Sequence, residues 1–501
     1  LTPDSRRSLV PRLLIVLQFT VSACGTRSAS PGPNPLLGSW SGEVSHGTER
    51  KRIGLRFAQN EKGSIVLYLD LPDLKFHDLG PLPLRPEGNE YVGPQSLFRL
   101  SRSGKKISGI WSFDGNELPF ELRPGALPAS ANPPPPVKGP VAEPVWTFPT
   151  RGPIWSSPAA AGGMVYFGSN DGGIYALKAD SGGLLWRFPT GKPVLARPTV
   201  DREFLYALSD DGFLYKLQRA TGDLVWKFDT GGGSVARELP GSGSDAYDSS
   251  TSGALADGGM VYVGSADRRL YAVDAGTGRE KWRVETEGIV RSTPAIADGV
   301  LFFGSRDHRV YAVDAATGAV RWRYDTRKEV VSSPLVYRGR VFVGSRSSNL
   351  FALDAATGDL RWKFFYWSSW VESSARERDG VLYVGSSDSQ KLHAIDAATG
   401  RGIWSFNTDG SDWSTPAVTD RAVFIGSVGV AKYLIDHHGG FFAVDRATGR
   451  PLWHYPMPPP PDSPTWGVAS SPEVADGQVF FGGLDGTFYA FRTDGGKVPA
   501  R

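Results

Sequence analysis

Residues 301–326, LFFGSRDHRVYAVDAATGAVRWRYDT, decide the fold. Nearly the same text opens at Val261 (VYVGSADRRLYAVDAGTGREKWRVET) and at Val341 (VFVGSRSSNLFALDAATGDLRWKFFY). The shared pattern is an apolar run, Gly-Ser, a polar turn, a run carrying Ala-x-Asp, then Thr-Gly, three residues, Trp and an alternating tail. Variants of it recur from Trp146 onward. A unit of this kind cannot bury its apolar face alone, so neighbouring units must stack.

Spacing gives the shape. The repeat tryptophans are Trp146, Trp186, Trp226, Trp282, Trp322, Trp362, Trp404 and Trp453. A period of ~40 residues fits a four-stranded propeller blade. The runs are short, rich in Val, Tyr and Phe, and bounded by Gly, Asp and Ser, as strands are. Each position has a physical task. Gly304 marks a strand end where a side chain would crowd the next blade. Asp314 with Thr317-Gly318 makes a turn. Trp322 wedges between blades.

Eight inner-strand blocks follow eight tryptophan strands, and the last block lacks its own. The strand at Trp146 therefore completes the last blade and leaves no edge. The predicted fold is all-β: an eight-bladed β-propeller over residues 145–495, preceded by a small β-rich domain.

The Ala-x-Asp-x-x-Thr-Gly-x-x-x-Trp segments, such as Ala272 to Trp282 and Ala312 to Trp322, resemble the tryptophan-docking repeats of propellers built like pyrroloquinoline-quinone (PQQ) dehydrogenases. That group includes quinoprotein dehydrogenases and the cofactor-free outer-membrane assembly lipoprotein BamB. The resemblance implies the fold; the function must come from the site.

Residues 1–24 resemble a lipoprotein export signal. Arg6, Arg7 and Arg12 precede a short apolar run, and Val21-Ser22-Ala23-Cys24 is similar to a lipobox. Cys24 is the single cysteine of 501 residues, which excludes an intrachain disulfide and a thiolate zinc site. The expected lipidation site is Cys24. Residues 25–35 form a tether, 36–122 a small β-rich domain with Trp40 and Trp111 as core plugs, 123–144 a proline-rich linker, and 496–501 a C-terminal tail. With 61 glycines, 38 prolines and 12% aromatics, the composition suits a turn-rich β protein. A net charge of +3 makes no case for nucleic acid. The expected location is the periplasmic face of the cell envelope, on the outer membrane through a lipid anchor only, with an envelope protein as partner.

Irregularities within the ring carry the functional signal. An insertion near residues 231–258 is expected to cover the channel mouth, to meet a partner, or to be a flexible loop without function. VGVAKYLIDHHGG is expected to project Asp436, His437 and His438 from the face opposite that insertion, as a solvated loop. Segments leading into the innermost strands read PIWSSP, IVRSTP, VVSSPL, SDWSTP and GVASSP. Trp155, Arg291, Trp413 and Trp466 sit at or near one position of these segments, with Trp367 and Trp370 close by. These six are the candidate ligand- or partner-binding residues; the alternative is that their rings only plug the tunnel and pack against neighbouring loops. No metal site and no catalytic residue is assigned, and no cofactor is expected. The recurrent acids, including Asp274 and Asp314, read as turn formers.

The leading expectation is a non-enzymatic envelope binding or scaffold protein. The alternatives are a reduced PQQ-dependent periplasmic dehydrogenase for an alcohol or sugar, with PQQ and calcium, and a carbohydrate- or ligand-binding sensor module.

Overall fold

The computed structural model describes residues 36–127, apart from 48 and 62, and 139–496, apart from 241–246, 249–252, 368, 432–436 and 462. Cys24 with its signal, the tether, residues 128–138 of the linker, Asp436 and residues 497–501 lie outside the described residues. The chain divides into two compact units between residues 135 and 136. Among the described residues there is no α-helix, and no helix is long and apolar enough to cross a membrane.

The first unit is one nine-stranded antiparallel sheet. Its hydrogen-bonded path begins at Phe76–Pro83 and ends at Arg85–Glu87, which follow one another along the chain, so the sheet curls nearly into a barrel. Strict alternation packs the inner face, as in Asn116–Pro124, where buried and exposed residues alternate. Trp40 and Trp111 are buried in this core, and Trp111 stacks on Phe98 at 5.9 Å. The curvature needs glycine. A Cβ on Gly42 would fall 2.0 Å from the Glu121 carbonyl oxygen.

The second unit is the eight-bladed ring. A typical blade runs outward through Ala295–Ala297, Val300–Gly304, Arg309–Asp314 and Val320–Asp325. The closing blade takes its outer strand, Trp146–Pro149, from the start of the unit, with Trp146 opposite Ala490.

Blades are joined at two levels. On the outer side, each repeat tryptophan lies on the Thr-Gly turn of the next blade: a Cβ on Gly318 would meet the Trp282 ring at 2.7 Å, and one on Gly358 the Trp322 ring at 2.8 Å. These glycines also have φ of +76° and +80°, so two independent constraints select the residue. Seven of the eight indoles donate their N–H to a carbonyl of the next blade, as Trp322 does to Ala355 at 3.0 Å. Trp282 does not, and Tyr262 occupies the equivalent acceptor, Ala315, at 3.2 Å. Nearer the axis, Gly304 abuts Val330 of the next blade, where a Cβ would come within 2.2 Å.

The turn acids behave as expected. Asp274 accepts from the Thr277 amide and hydroxyl, and these bonds hold its carboxyl down at about 2.

Candidate functional site

Each innermost strand is approached by four residues with distinct tasks. The first is apolar and fully buried in Ile154, Val194, Val290, Val330, Val371 and Val468, and it packs on the preceding blade's strand-end glycine. The second faces the mouth of the ring. The third is a serine in six blades. Ser292 Oγ, for example, accepts from the Gly304 N–H at 2.7 Å and donates to its carbonyl at 2.9 Å. The fourth forms a belt around the channel. In this belt a backbone N–H of one blade donates to the hydroxyl of the next: Gly253 to Thr293, Thr293 to Ser333, Ser333 to Ser374, Thr415 to Ser471, and Ser471 to Ser157.

The second residues form the mouth. Trp155 and Trp413 stack at 6.2 Å with ring planes 16° apart. Arg291 is buried and donates to Asp248 at 2.7 Å. Glu372 occupies the same position in its blade and pairs with Arg346 at 2.7 Å, both buried.

The insertion supplies Tyr247 and Asp248, and both are buried in the mouth. The Tyr247 ring lies 5.8 Å from Trp370 and from Trp413, and the Arg346 guanidinium stands 4.9 Å above it. Arg346 also stacks on Trp370 at 4.2 Å. Asp248 meets Arg237 as well as Arg291, at 3.6 Å. Burial pushes the Asp248 carboxyl up, but Arg237 and Arg291 outweigh it and hold the group below the usual range. Arg237 is itself fixed by Asp210 at 2.8 Å. The mouth therefore grips one aromatic ring and one carboxylate of its own chain.

The six candidates are distributed as follows. Trp155, Arg291 and Trp413 line the mouth, and Trp370 borders it through Tyr247 and Arg346. Trp367 is buried and packs on Phe365 at 5.5 Å. Trp466 sits on a strand, Thr465–Gly467, added to the seventh blade, against Gly429 and Gly439. The described end of the VGVAKYLIDHHGG loop, His437 and His438, does not lie on the opposite face. His438 N–H donates to the Asp409 carbonyl in the connection between blades, because turns between second and third strands and crossovers between blades share one face in a four-stranded antiparallel sheet. His437 is buried and His438 exposed.

The family model described as "Outer membrane protein assembly factor BamB" matches residues 142–264, 266–377 and 367–500. The chain belongs to this family. A curated relative of this BamB-family chain is a quinohemoprotein alcohol dehydrogenase, ADH IIB of Pseudomonas putida, 27% identical over 139 residues, covering 26% of this chain and 20% of that protein. The match thus spans about a fifth of the curated relative. Among solved structures, the quinohemoprotein alcohol dehydrogenase of Comamonas testosteroni is 15% identical with a TM-score of 0.55, covering 72% of this chain and 78% of that one. A europium-containing methanol dehydrogenase is 15% identical with a TM-score of 0.52, covering 68% and 85%. These structures share the fold.

The leaning toward a non-enzymatic protein is corrected by these comparisons. The curated sequence relative is a dehydrogenase, and an enzymatic function stands at least as well supported as a scaffold alone.

Sequence reasoning missed Tyr247, Asp248, Arg346, Glu372 and Arg237. A signal existed for Glu372. Aligning the approach segments column by column places it with Trp155, Arg291 and Trp413. The same column reading shows Asp412 in a position held by Val or Ile in six of the other blades. Asp412 is fully buried, accepts from the Thr408 hydroxyl at 2.7 Å, and burial raises its carboxyl well above the usual range. Among the described residues no group of three or more His, Cys, Asp or Glu is placed to hold a metal.

Proposed function

We propose that this BamB-family ring is a reduced PQQ-type dehydrogenase acting on an alcohol or sugar, with the mouth as the seat of the quinone. The observation that carries it is the grip on Tyr247 and Asp248. An aromatic ring held among Trp370, Trp413 and Arg346, beside a carboxylate held by Arg237 and Arg291, is the donor set a planar aromatic carboxylate requires. The quinone would take the place of these two side chains. When bound, it supplies the two-electron acceptor for the alcohol carbon.

The residues of the chain orient it. Arg237 and Arg291 would hold its carboxylates, and Trp370 and Trp413 would contact its rings. Arg346 holds one oxygen of Glu372. The other has no hydrogen-bond partner among the described residues and is the acceptor available for a proton at the mouth. The described residues offer fitting donors for the organic group, and no residues are assigned to a calcium ion. The family's description supports a cell-envelope location, which belongs to this proposal together with lipidation at Cys24.

The test is a PQQ titration of the full chain, with and without calcium, read by tryptophan fluorescence. Saturable quenching is expected. It should tighten in the double variant Tyr247→Ala/Asp248→Ala, which removes the internal competitor, and disappear when Arg291→Gln and Trp413→Ala are combined. Absence of quenching in both the native protein and the Tyr247/Asp248 variant overturns the proposal.

A further inference from the structure

Continuous with the mouth, the ring axis holds a cavity of about 290 Å³. Trp155, Trp413 and Glu372 line one part of it, and Arg197, Arg376 and the hydroxyl belt line the rest. Trp413 and Glu372 also serve the quinone reading, whereas Arg197, Arg376 and the belt do not.

The hydrogen-bond inventory of this cavity is one-sided. Five belt hydroxyls each accept a backbone N–H, and none of the five donates to a protein acceptor among the described residues. A hydroxyl carries one donor, so the cavity wall presents a set of unspent O–H groups.

The charge inventory has the same sign. In the second blade the belt position is Arg197 instead of a hydroxyl, and it reaches across to Glu473 of the eighth blade at 2.9 Å. Arg376 stands on the innermost strand of the sixth blade, four blades from Arg197 and so on the opposing wall. Among the described residues no hydrogen bond or ion pair holds the Arg376 guanidinium, and the side chain is open to the cavity. Glu372, the acid on the same cavity, is engaged by Arg346. Arg197 and Arg376 share the single acid Glu473, so their walls carry one net positive charge among the described residues.

We infer that the axial cavity is a binding site for a small oxyanion of the carboxylate or phosphate class, clamped between Arg376 and Arg197 and hydrogen-bonded by the belt hydroxyls. Guanidinium groups on facing walls suit an anion with several oxygens. The cavity volume lies at the low end for ligand sites, which selects a small anion over a nucleotide. Glu473 is the internal competitor for Arg197. This site shares Trp155, Trp413 and Glu372 with the mouth, and a titration free of quinone tests it on its own.

Calorimetric titration of the full chain, free of quinone and in low-ionic-strength buffer without chloride, tests the inference with inorganic phosphate in one arm and succinate in the other. Saturable binding of at least one is expected, and the stronger arm names the class. Arg376→Gln should weaken it roughly tenfold or more, as loss of a charged hydrogen bond does. Arg376→Lys, which keeps the charge, should retain part of the affinity. Glu473→Gln should tighten binding by releasing Arg197, an effect that structural damage would not produce. Failure of both anions to bind, or native affinity in Arg376→Gln, overturns the site. Should Arg376→Gln not fold, Glu473→Gln decides: tighter binding supports the clamp, and unchanged or weaker binding overturns it.

Discussion

The outer shelf of the ring and its mouth are built from the same repeat, yet they follow opposite rules. On the shelf, eight tryptophans meet eight glycines in one geometry, and seven of the eight indoles make the same hydrogen bond. At the mouth, the corresponding position in the seven blades where it is described holds Trp155, Leu195, Arg291, Val331, Glu372, Trp413 and Ala469 in turn. Every blade must solve the same packing problem against its neighbour, so the shelf repeats. The mouth has a single occupant to meet from eight directions, so its residues diverge. Uniformity here marks stability, and divergence marks recognition.

The largest expected difference lies in deletion of an indole from each region. Trp453 is buried in the shelf, and Trp453→Ala should cost about 3–5 kcal/mol in urea unfolding. Trp413→Ala at the mouth, where the ring is only partly buried, should cost on the order of 1–3 kcal/mol. Equal losses would break the distinction.

A second comparison sets Asp412 against the apolar residues of its column. A buried carboxyl with a raised proton affinity favours the folded state at low pH. That contribution is lost as pH rises through the folded-state value. Asp412→Val should therefore raise stability at neutral pH by about 1–3 kcal/mol and flatten the decline between acid and neutral pH. Thermal melts across that range check both. A destabilised variant would mean that Asp412 serves the mouth in a way its contacts do not express.

The smallest effect sharpens the shelf itself. Trp282→Phe forfeits no hydrogen bond, whereas Trp322→Phe leaves the Ala355 carbonyl without its donor. The second should be less stable than the first by about 0.5–1.5 kcal/mol.

This division also explains what could be read without coordinates. The blade count, the closure at Trp146 and the roles of Gly304, Gly318 and Trp322 were legible because repetition averages over eight copies of one physical constraint. Trp155, Arg291 and Trp413 were found as departures from a recurring position. Tyr247 and Asp248 could not be, since they lie in an insertion with no counterpart in other blades. Arg346 was hidden for a different reason: it stands in a polar turn where Asn170, Asp210 and Arg306 occur elsewhere, and only the fold turns it inward onto Trp370. The placement of the His437–His438 loop was misjudged because sequence spacing gives strand order but not which connections share a face.

The strand that closes the ring has a kinetic meaning. Trp146 pairs with Ala490, so the last latch joins residues 344 positions apart. Contacts this distant are slow to form, because the chain must surrender its loop freedom before they return any stabilisation. The blades between can assemble from local hairpins, but they remain an open arc until residues 487–492 arrive. The arc is a transient species with two unpaired strand edges, and its lifetime sets how long the nascent protein is exposed to misassociation.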